Sequence, residues 1–493
     1  MTAAAGEPLI DRLASLLPAA VARLMLVAPG AEALADGLAA RGFTAAATAA
    51  ASLGTATATQ LPRAPSDQGW EAVLLLACGH DAAALLAPQL EPLRAAMAER
   101  GQLAIAAELG TTAAAGTTDP RALTIALSEH GFVVLRQEPL DDNGGALARE
   151  LWTARREAFR VREYQPGDES QILPIFEGSF FVPRSRERWS WEYRENPYGN
   201  LCISEAFAED GQLVAHYAGF PVRFRLPGRA EPVIALHVGD TMTLPGVRHV
   251  GRGPTSLLGR TVRHFYARFC SGRVAFNYGF NTGNIQRFSM AFVGAQRLED
   301  LPFHVLPLPA PALAATDGPL QRWLPTGLHG WRCERVESFD ARFDELFARV
   351  AGDYGMLVER DARYLDWRYR RQPGGEYRVY ACSRRDRLVG WSVVRRRGDA
   401  LFWGDALFDP RAPQAVGRLL AHALAQPEHG GVTHVETWAT ARPAWWRPLL
   451  RSVGFAERPE PQGLGIVFVP FEVDPGELMR ARLYYTMGDS DLF

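Results

Sequence analysis

Arg248, Gly251 and Gly253 set out the pattern R-x-x-G-x-G within TLPGVRHVGRGPTSLLGRTVRHFYARF, residues 243 to 269. Two glycines at that spacing let backbone approach a ligand closely, and the free N–H groups at a helix start favour phosphate. Pro254 suits the first turn of such a helix, and Leu258, Val262, Phe265 and Phe269 share one face of it. Immediately upstream, ALHVGDTMTL has the look of a strand and carries two groups able to take a proton, His237 and Asp240. In a regular strand odd and even positions face opposite sides, so only one of the two would look into a cleft. The leading alternative for His237 is a satisfied core histidine.

The composition excludes several chemistries. The chain has 493 residues, and all 53 basic residues are arginine. Walker-type ATP binding, Schiff bases and lysine-tethered cofactors all need an amine that is absent. The cysteines (Cys78, Cys202, Cys270, Cys333, Cys382) are far apart with no CxxC, which speaks against a zinc site or disulfide framework and for a reducing cytoplasm. No G-x-S-x-G or HExxH occurs, no metal is expected, and no apolar run suggests a membrane span. With a net charge of −2, nucleic acid is not an expected partner. Arg384-Arg385 and Arg395 to Arg397 read as a solvated sheet edge or as a patch for an anionic partner.

The chain repeats itself. WEYRENPYGN (191 to 200) returns as WRYRRQPGGE (367 to 376), each copy followed by strand-like alternation around a charged turn. ALHVGDTMTLP (235 to 245) returns as ALFWGDALFDP (400 to 410), and AFVGAQRLE (291 to 299) as RSVGFAERPE (451 to 460). Three matches in one order predict two homologous α/β domains, 157 to 305 and 332 to 475, with a Pro-rich connector at 306 to 331 and a tail at 476 to 493. Trp191 and Trp367 are predicted core anchors, or else lining of an acceptor pocket. Asp240 recurs as Asp405, which favours a structural role, whereas Phe402 replaces His237. The second copy's FDPRAPQAVGRLLAHAL keeps only Gly417, so a single cradle and a single active site are expected.

Strand, Pro, Arg, Gly-x-Gly and amphipathic helix in that order resemble the GNAT acyltransferase superfamily, in tandem over about two-thirds of the chain. The resemblance implies that Val250, Gly251, Arg252 and Gly253 donate N–H groups to the pyrophosphate of acetyl-CoA or another acyl-CoA, with Thr243 meeting the pantetheine arm. Arg248 and Arg252 would add charge. It further implies a base and an acid for transfer to an amine, and His237 and Asp240 are the candidates for the base. The acid of that family is a Tyr seven residues after an Asn; here Phe288 follows Asn281, so Tyr278 is the substitute and Asn281 would orient the thioester. Tandem acetyltransferases of the enhanced-intracellular-survival type, which this chain resembles without their third, sterol-carrier-like domain, use a C-terminal carboxylate as base, which points to Phe493.

Residues 1 to 150 alternate strand and helix as a parallel α/β domain. LRAAMAERGQLAIAAEL and ALSEHGFVVLRQEPL resemble the late strands of class I S-adenosylmethionine methyltransferases, a Rossmann-like fold. APGAEALA has one glycine where that family has Gly-x-Gly, and FTAAATAAASLG lacks the acidic ribose ligand, so a degenerate domain serving to dock a carrier protein, an enzyme or a second copy of itself as a homodimer is expected. The whole reads as an acyl-CoA-dependent N-acyltransferase acting on an amino sugar, peptide or amino-acid-like amine, of the kind found in secondary metabolism. An acyl-carrier-protein-dependent transferase and a non-catalytic scaffold are the alternatives.

Overall fold

The structure is a computed structural model and describes residues 24–27, 36, 38–41, 45–48, 70–77, 82–109, 119–139, 148–199, 201–314 and 330–493. It divides into two compact units, one of residues 1–180, 203–217 and 242–269, the other of residues 181–202, 218–241 and 270–493.

In the first unit β1 (Leu24–Val27), β2 (Ala45–Thr48), β3 (Trp70–Ala77), α1 (Ala82–Ala96), β4 (Met97–Leu109), α2 (Pro120–Glu129), β5 (Phe132–Pro139) and β6 (Ala148–Arg156) build a sheet of order β2-β1-β3-β4-β6-β5. β1 to β4 pair in parallel. β6 was not foreseen by the sequence pattern; it runs antiparallel to both β4 and β5, which corrects the expectation of an all-parallel domain. The reason is the short return from β5, since a parallel neighbour needs a crossover of a dozen or more residues. Asp119 caps α2 by accepting from Arg121 N, and Pro120 occupies its first turn. Leu86, Leu90 and Leu93 of α1, at helical spacing, meet Leu123 and Leu127 of α2 in a core that also holds Phe132 and Trp152. The turn after β1 and the residues after β2, which carried the reading of lost cofactor ligands, lie outside the described residues, as do residues 315–329 of the connector.

From Phe159 onward the elements come in two runs. The first is β7 (Phe159–Glu163), α3 (Glu169–Phe180), α4 (Arg186–Tyr193), β8 (Cys202–Ala208), β9 (Leu213–Arg225), β10 (Val233–Thr243), α5 (Leu257–Phe265), β11 (Phe276–Asn281), α6 (Gly283–Phe292) and β12 (Gln296–Asp300). Then come β13 (Phe303–Pro307), β14 (Trp331–Val336), α7 (Ala341–Tyr354), β15 (Leu357–Val358), α8 (Ala362–Leu365) with a wide turn over Asp366–Arg370, β16 (Tyr377–Arg384), β17 (Arg387–Arg397), β18 (Ala400–Phe408), α9 (Gln414–Leu424), β19 (His434–Trp438), α10 (Trp446–Ser452), β20 (Ala456–Glu457) and β21 (Gly465–Pro470). The order β-α-α-β-β-β-α-β-α-β of the first run returns from β14 to β20, interrupted only by the two-residue β15. The duplication is therefore structural as well as sequential.

Within the second unit the copies exchange strands. β21, at the end of the chain's second copy, lies between β11 and β12 of the first, antiparallel to both. β13, which directly follows the first copy, lies between β19 and β20 of the second. The second copy's sheet thus reads β14-β16-β17-β18-β19-β13-β20. Pro307 and the preceding residues, which the sequence reading divided between first domain and connector, are in fact this strand.

In both copies one parallel pair parts early. β10 pairs with β11 through Ala235–His237 against Phe276–Tyr278, and β18 with β19 through Ala400–Phe402 against His434–Glu436, while all four strands run on. Such a fork leaves backbone N–H groups facing a gap.

Candidate active site

The Gly-x-Gly loop belongs to the first unit. Leu244, Val247 and Val250 pack on a small core of Val161, Ala206, Val214, Ala215 and Leu257, which seats the loop. Gly251 and Gly253 both take positive φ, 71° and 53°. A Cβ on Gly251 would lie 2.2 Å from the Thr255 carbonyl oxygen, and one on Gly259 would lie 2.6 Å from the Gly253 oxygen. The loop therefore closes on itself only with glycine at these points. Val250 N–H donates to Val247 O at 3.0 Å, so this amide is used within the loop. Gly251 and Arg252 are exposed.

The helix begins later than the sequence suggested. Gly253–Thr255 form a tight turn, and Ser256 caps α5, accepting from Gly259 N at 3.1 Å while donating to Gly253 O at 2.6 Å. Leu257 rather than Leu258 is buried, because Pro254 is spent in the turn and the register moves on. Arg248 Nε donates to Thr243 O, and its guanidinium is exposed. A cleft of about 440 Å³ opens beside the loop, lined among others by Arg100, Arg155, Arg156, Glu209, His249 and Gly251.

The second unit holds a paired polar cluster whose two halves repeat. In the first copy Tyr193 donates to Asp240 Oδ2 at 2.7 Å, and Arg184 bonds the same carboxylate and reaches Glu192 at 3.3 Å. In the second, Tyr369 donates to Asp405 Oδ2 at 2.7 Å and Arg360 donates to Asp405 Oδ1 at 3.0 Å. The Tyr in each case is that of the repeated W-x-Y-R, and the Arg stands seven residues before its Trp in both copies (Arg184 and Trp191, Arg360 and Trp367). That second spacing was available in the sequence and was not read. The tryptophans meet each other: their rings stack at 4.9 Å, Trp191 Nε1 donates to Trp367 O at 2.7 Å, and Trp367 Nε1 donates to Trp191 O at 3.0 Å. The reciprocal bonds relate the two tryptophans by an approximate two-fold symmetry. The predicted role of core anchor fits both residues.

Gly239-Asp240 and Gly404-Asp405 are twins on β10 and β18. At the second pair the ladder with β17 slips by one residue, a bulge at Gly404; at the first, Asp240 takes φ 50°. That turn in the backbone breaks the alternation, so His237 and Asp240 do not fall on opposite faces as the regular strand would have placed them. Both stand beside Asp491, a residue of the chain's last segment that the sequence reading missed.

Residues 483–490 of that segment are buried, and they occupy the second copy. Asp489 accepts from Arg360 Nη2 at 2.6 Å, Thr486 donates to Asp405 at 3.0 Å, and Arg368 donates to the carbonyls of Gly488 and Ser490. The Phe493 ring covers Gly404, where a Cβ would be 1.9 Å from it, and Phe493 O accepts from Tyr377 at 2.7 Å. In the first copy the twin position is different: a Cβ on Gly239 would lie 3.1 Å from Asp491 Oδ2, and Asp491 Oδ1 is 3.9 Å from His237 Nε2. The same chain segment fills one site with a ring and presents a carboxylate to the other.

Electrostatics separate the candidates. His237 is wholly buried between Phe220, Tyr278 and Phe280, and burial, helped by the Arg368 charge, pushes its pKa down to about 3. Tyr278 is buried with its hydroxyl 3.4 Å from the Asp489 carbonyl, and burial holds it well above the ordinary tyrosine range. Both side chains are buried, whereas a base or an acid in transfer has to meet the substrate. Asp240 is committed to Arg184 and Tyr193. For Arg184 burial works against the charge, yet Asp240 and Glu192 hold it above the ordinary range. Asn281 closes β11, and Phe288 packs on Phe292.

No family model matches the sequence, and no curated protein does. Several solved structures are similar to this chain. They include a GCN5-related N-acetyltransferase from Anabaena variabilis (13% identity, 63% of this chain and 72% of that one, TM-score 0.46). Eis1 from Mycobacterium abscessus matches at 15% identity over 64% and 74%, TM-score 0.42. Saccharomyces cerevisiae N-myristoyltransferase, solved with myristoyl-CoA, matches at 13% identity over 70% and 87%, TM-score 0.42. Among the described residues no helix is long and apolar enough to cross a membrane and no group of side chains is arranged to hold a metal.

Proposed function

We propose that this chain is an acyl-CoA-dependent N-acyltransferase with one working site, in its first copy. The observation that carries the reading is the contrast between twins. β10 forks from β11, bends at Gly239-Asp240 and runs along the chain into a loop that only glycine can close. β18 has the same fork and a bulge at Gly404, but Pro413 opens its helix without such a loop and Phe493 covers Gly404.

On this reading the N–H groups of Gly251, Arg252 and Gly253 hold the pyrophosphate, with Arg248 and Arg252 adding charge and Thr243 meeting the pantetheine arm. Strand N–H groups polarise the thioester carbonyl. The amine nitrogen forms its bond to the carbonyl carbon, the carbon–sulfur bond breaks, and the amine proton passes to a base. His237, Asp240 and Tyr278 act as positioning residues around that base. The N-terminal domain is read as Rossmann-like and methyltransferase-like in fold, on the support of its parallel β2-β1-β3-β4 order, and as a docking module.

Calorimetry with acetyl-, malonyl- and long-chain acyl-CoA tests this on wild type and Gly251→Ala. Binding by wild type that falls at least tenfold in the variant is expected, with the preferred chain naming the donor. Failure of wild type to bind any acyl-CoA overturns the reading; turnover only from a holo-carrier protein would transfer it to that donor.

A further inference from the structure

The last segment of the chain is held by the second copy through Ser490, and Asp491 then lies against Gly239 of β10. Gly239 leaves the space that the carboxylate enters, since any side chain there would meet Asp491 Oδ2. Three carboxylates gather here, but they differ in access: the side chains of Asp240 and Glu192 are 4% and 6% exposed, and that of Asp491 is 24% exposed. Arg184 is bonded to the first two. A single carboxylate therefore combines an open side with a position beside the forked strand.

From this geometry we propose that Asp491 is the general base of the transfer, taking the proton from the attacking amine. The proposal rests on the N-acyltransferase reading above. As the nitrogen–carbon bond forms and the carbon–sulfur bond breaks, the amine proton moves to Asp491 Oδ, and the thiolate leaves with the electron pair and is protonated from water. The surroundings suit the task. Glu192 acts on the carboxylate from α4, Arg184 from the residues before it, and His237 and Asp240 from β10. Burial first, then the charges of Asp240 and Glu192, raise Asp491 to about 7 against the lowering effect of Arg184. A base with that pKa is half deprotonated at neutral pH and still strong enough to accept a proton. His237, with no hydrogen-bond partner at either ring nitrogen among the described residues, has its Nε2 3.9 Å from Asp491 Oδ1.

The test uses the full chain as wild type, Asp491→Asn, Asp491→Glu and the control Leu492→Ala, whose exposed side chain lies next in the tail. Acetyl-CoA binding is measured by calorimetry, and kcat/KM is measured from pH 5.5 to 9 with acetyl-CoA and a panel of acceptors that includes an alkoxyamine, which stays unprotonated over that range. Near-ultraviolet circular dichroism checks each fold. The expected result is that Asp491→Asn binds acetyl-CoA within about twofold of wild type, yet loses roughly 10²–10³ in kcat/KM. The wild-type rise with midpoint near pH 7 should vanish with it, Asp491→Glu should restore part of both, and Leu492→Ala should match wild type. Retention of the rise near pH 7 in Asp491→Asn, or a loss below tenfold, overturns the assignment while leaving the N-acyltransferase reading intact. Absence of acetyl-CoA binding or turnover in wild type itself overturns both.

Discussion

Replacing Asp489 by Asn should loosen the tail without changing its shape. Arg360 is wholly buried, and two carboxylates balance its charge, Asp405 at 3.0 Å and Asp489 at 2.6 Å; Val358 O takes a further N–H at 3.0 Å. Breaking a buried pair by removing one partner costs about 3–5 kcal/mol. Asp405 remains in the variant and the new amide oxygen can still accept, so the low end, about 3 kcal/mol, applies. At 1.4 kcal/mol per tenfold this is roughly a hundredfold in the opening equilibrium of residues 484–493. Amide hydrogen exchange read by mass spectrometry on the C-terminal peptide measures that opening directly, and kcat/KM should fall with it because Asp491 loses its seat. Exchange within about threefold of wild type would refute the reasoning, since the anchor would then lie elsewhere.

Three further outcomes are expected. Tyr193→Phe and Tyr369→Phe each remove a buried hydrogen bond to a carboxylate and should each destabilise by about 1.5–3 kcal/mol in urea unfolding; only the first should alter kcat/KM. Glu205 is wholly buried behind the Arg162–Asp168 pair, and burial, with Asp168 adding, raises it to about 9. An acid raised in the folded state favours folding below its unfolded pKa of about 4.3 and loses that contribution as pH rises towards the folded value. Glu205→Gln should therefore flatten stability between pH 5 and 9 and raise the melting temperature at pH 8, with little change at pH 4. Finally, Trp191→Phe keeps the stacked ring but removes the indole donor to Trp367 O, and a loss of about 1–2 kcal/mol in the unfolding of the second unit is expected by denaturant titration.

Much of the site could be read from the chain, for a physical reason. Trp, Tyr and Gly-Asp recur because each copy must cap a bulged strand with the same phenol, and identical tasks preserve identical letters. The loop glycines stand out because no other residue fits their backbone. What escaped notice depends on tertiary choice. β13 and β21 are short apolar strands, and nothing in PFHVLP or GIVFVP says which sheet receives them. Arg184 and Arg360 lie outside the matched block, although their equal spacing to Trp was visible. His237 and Asp240 were assigned to faces by a rule that holds for regular strands, and the positive φ at Asp240 breaks it. Asp491 has no counterpart in the first copy, so the repeat that revealed everything else was silent about it.

The exchanged strands bear on how the protein is made. When Asp300 leaves the ribosome, β11 and β12 have a gap between them that only residues 465–470 can close. At roughly 5–20 residues per second this interval lasts roughly ten to thirty seconds, during which two strand edges stand without their partner. Synthesis order and assembly order therefore part company: the half that emerges first is completed last, and a truncated or stalled chain exposes an adhesive edge. A messenger cut into two separately translated halves would have to trade β13 and β21 between molecules before either sheet could close.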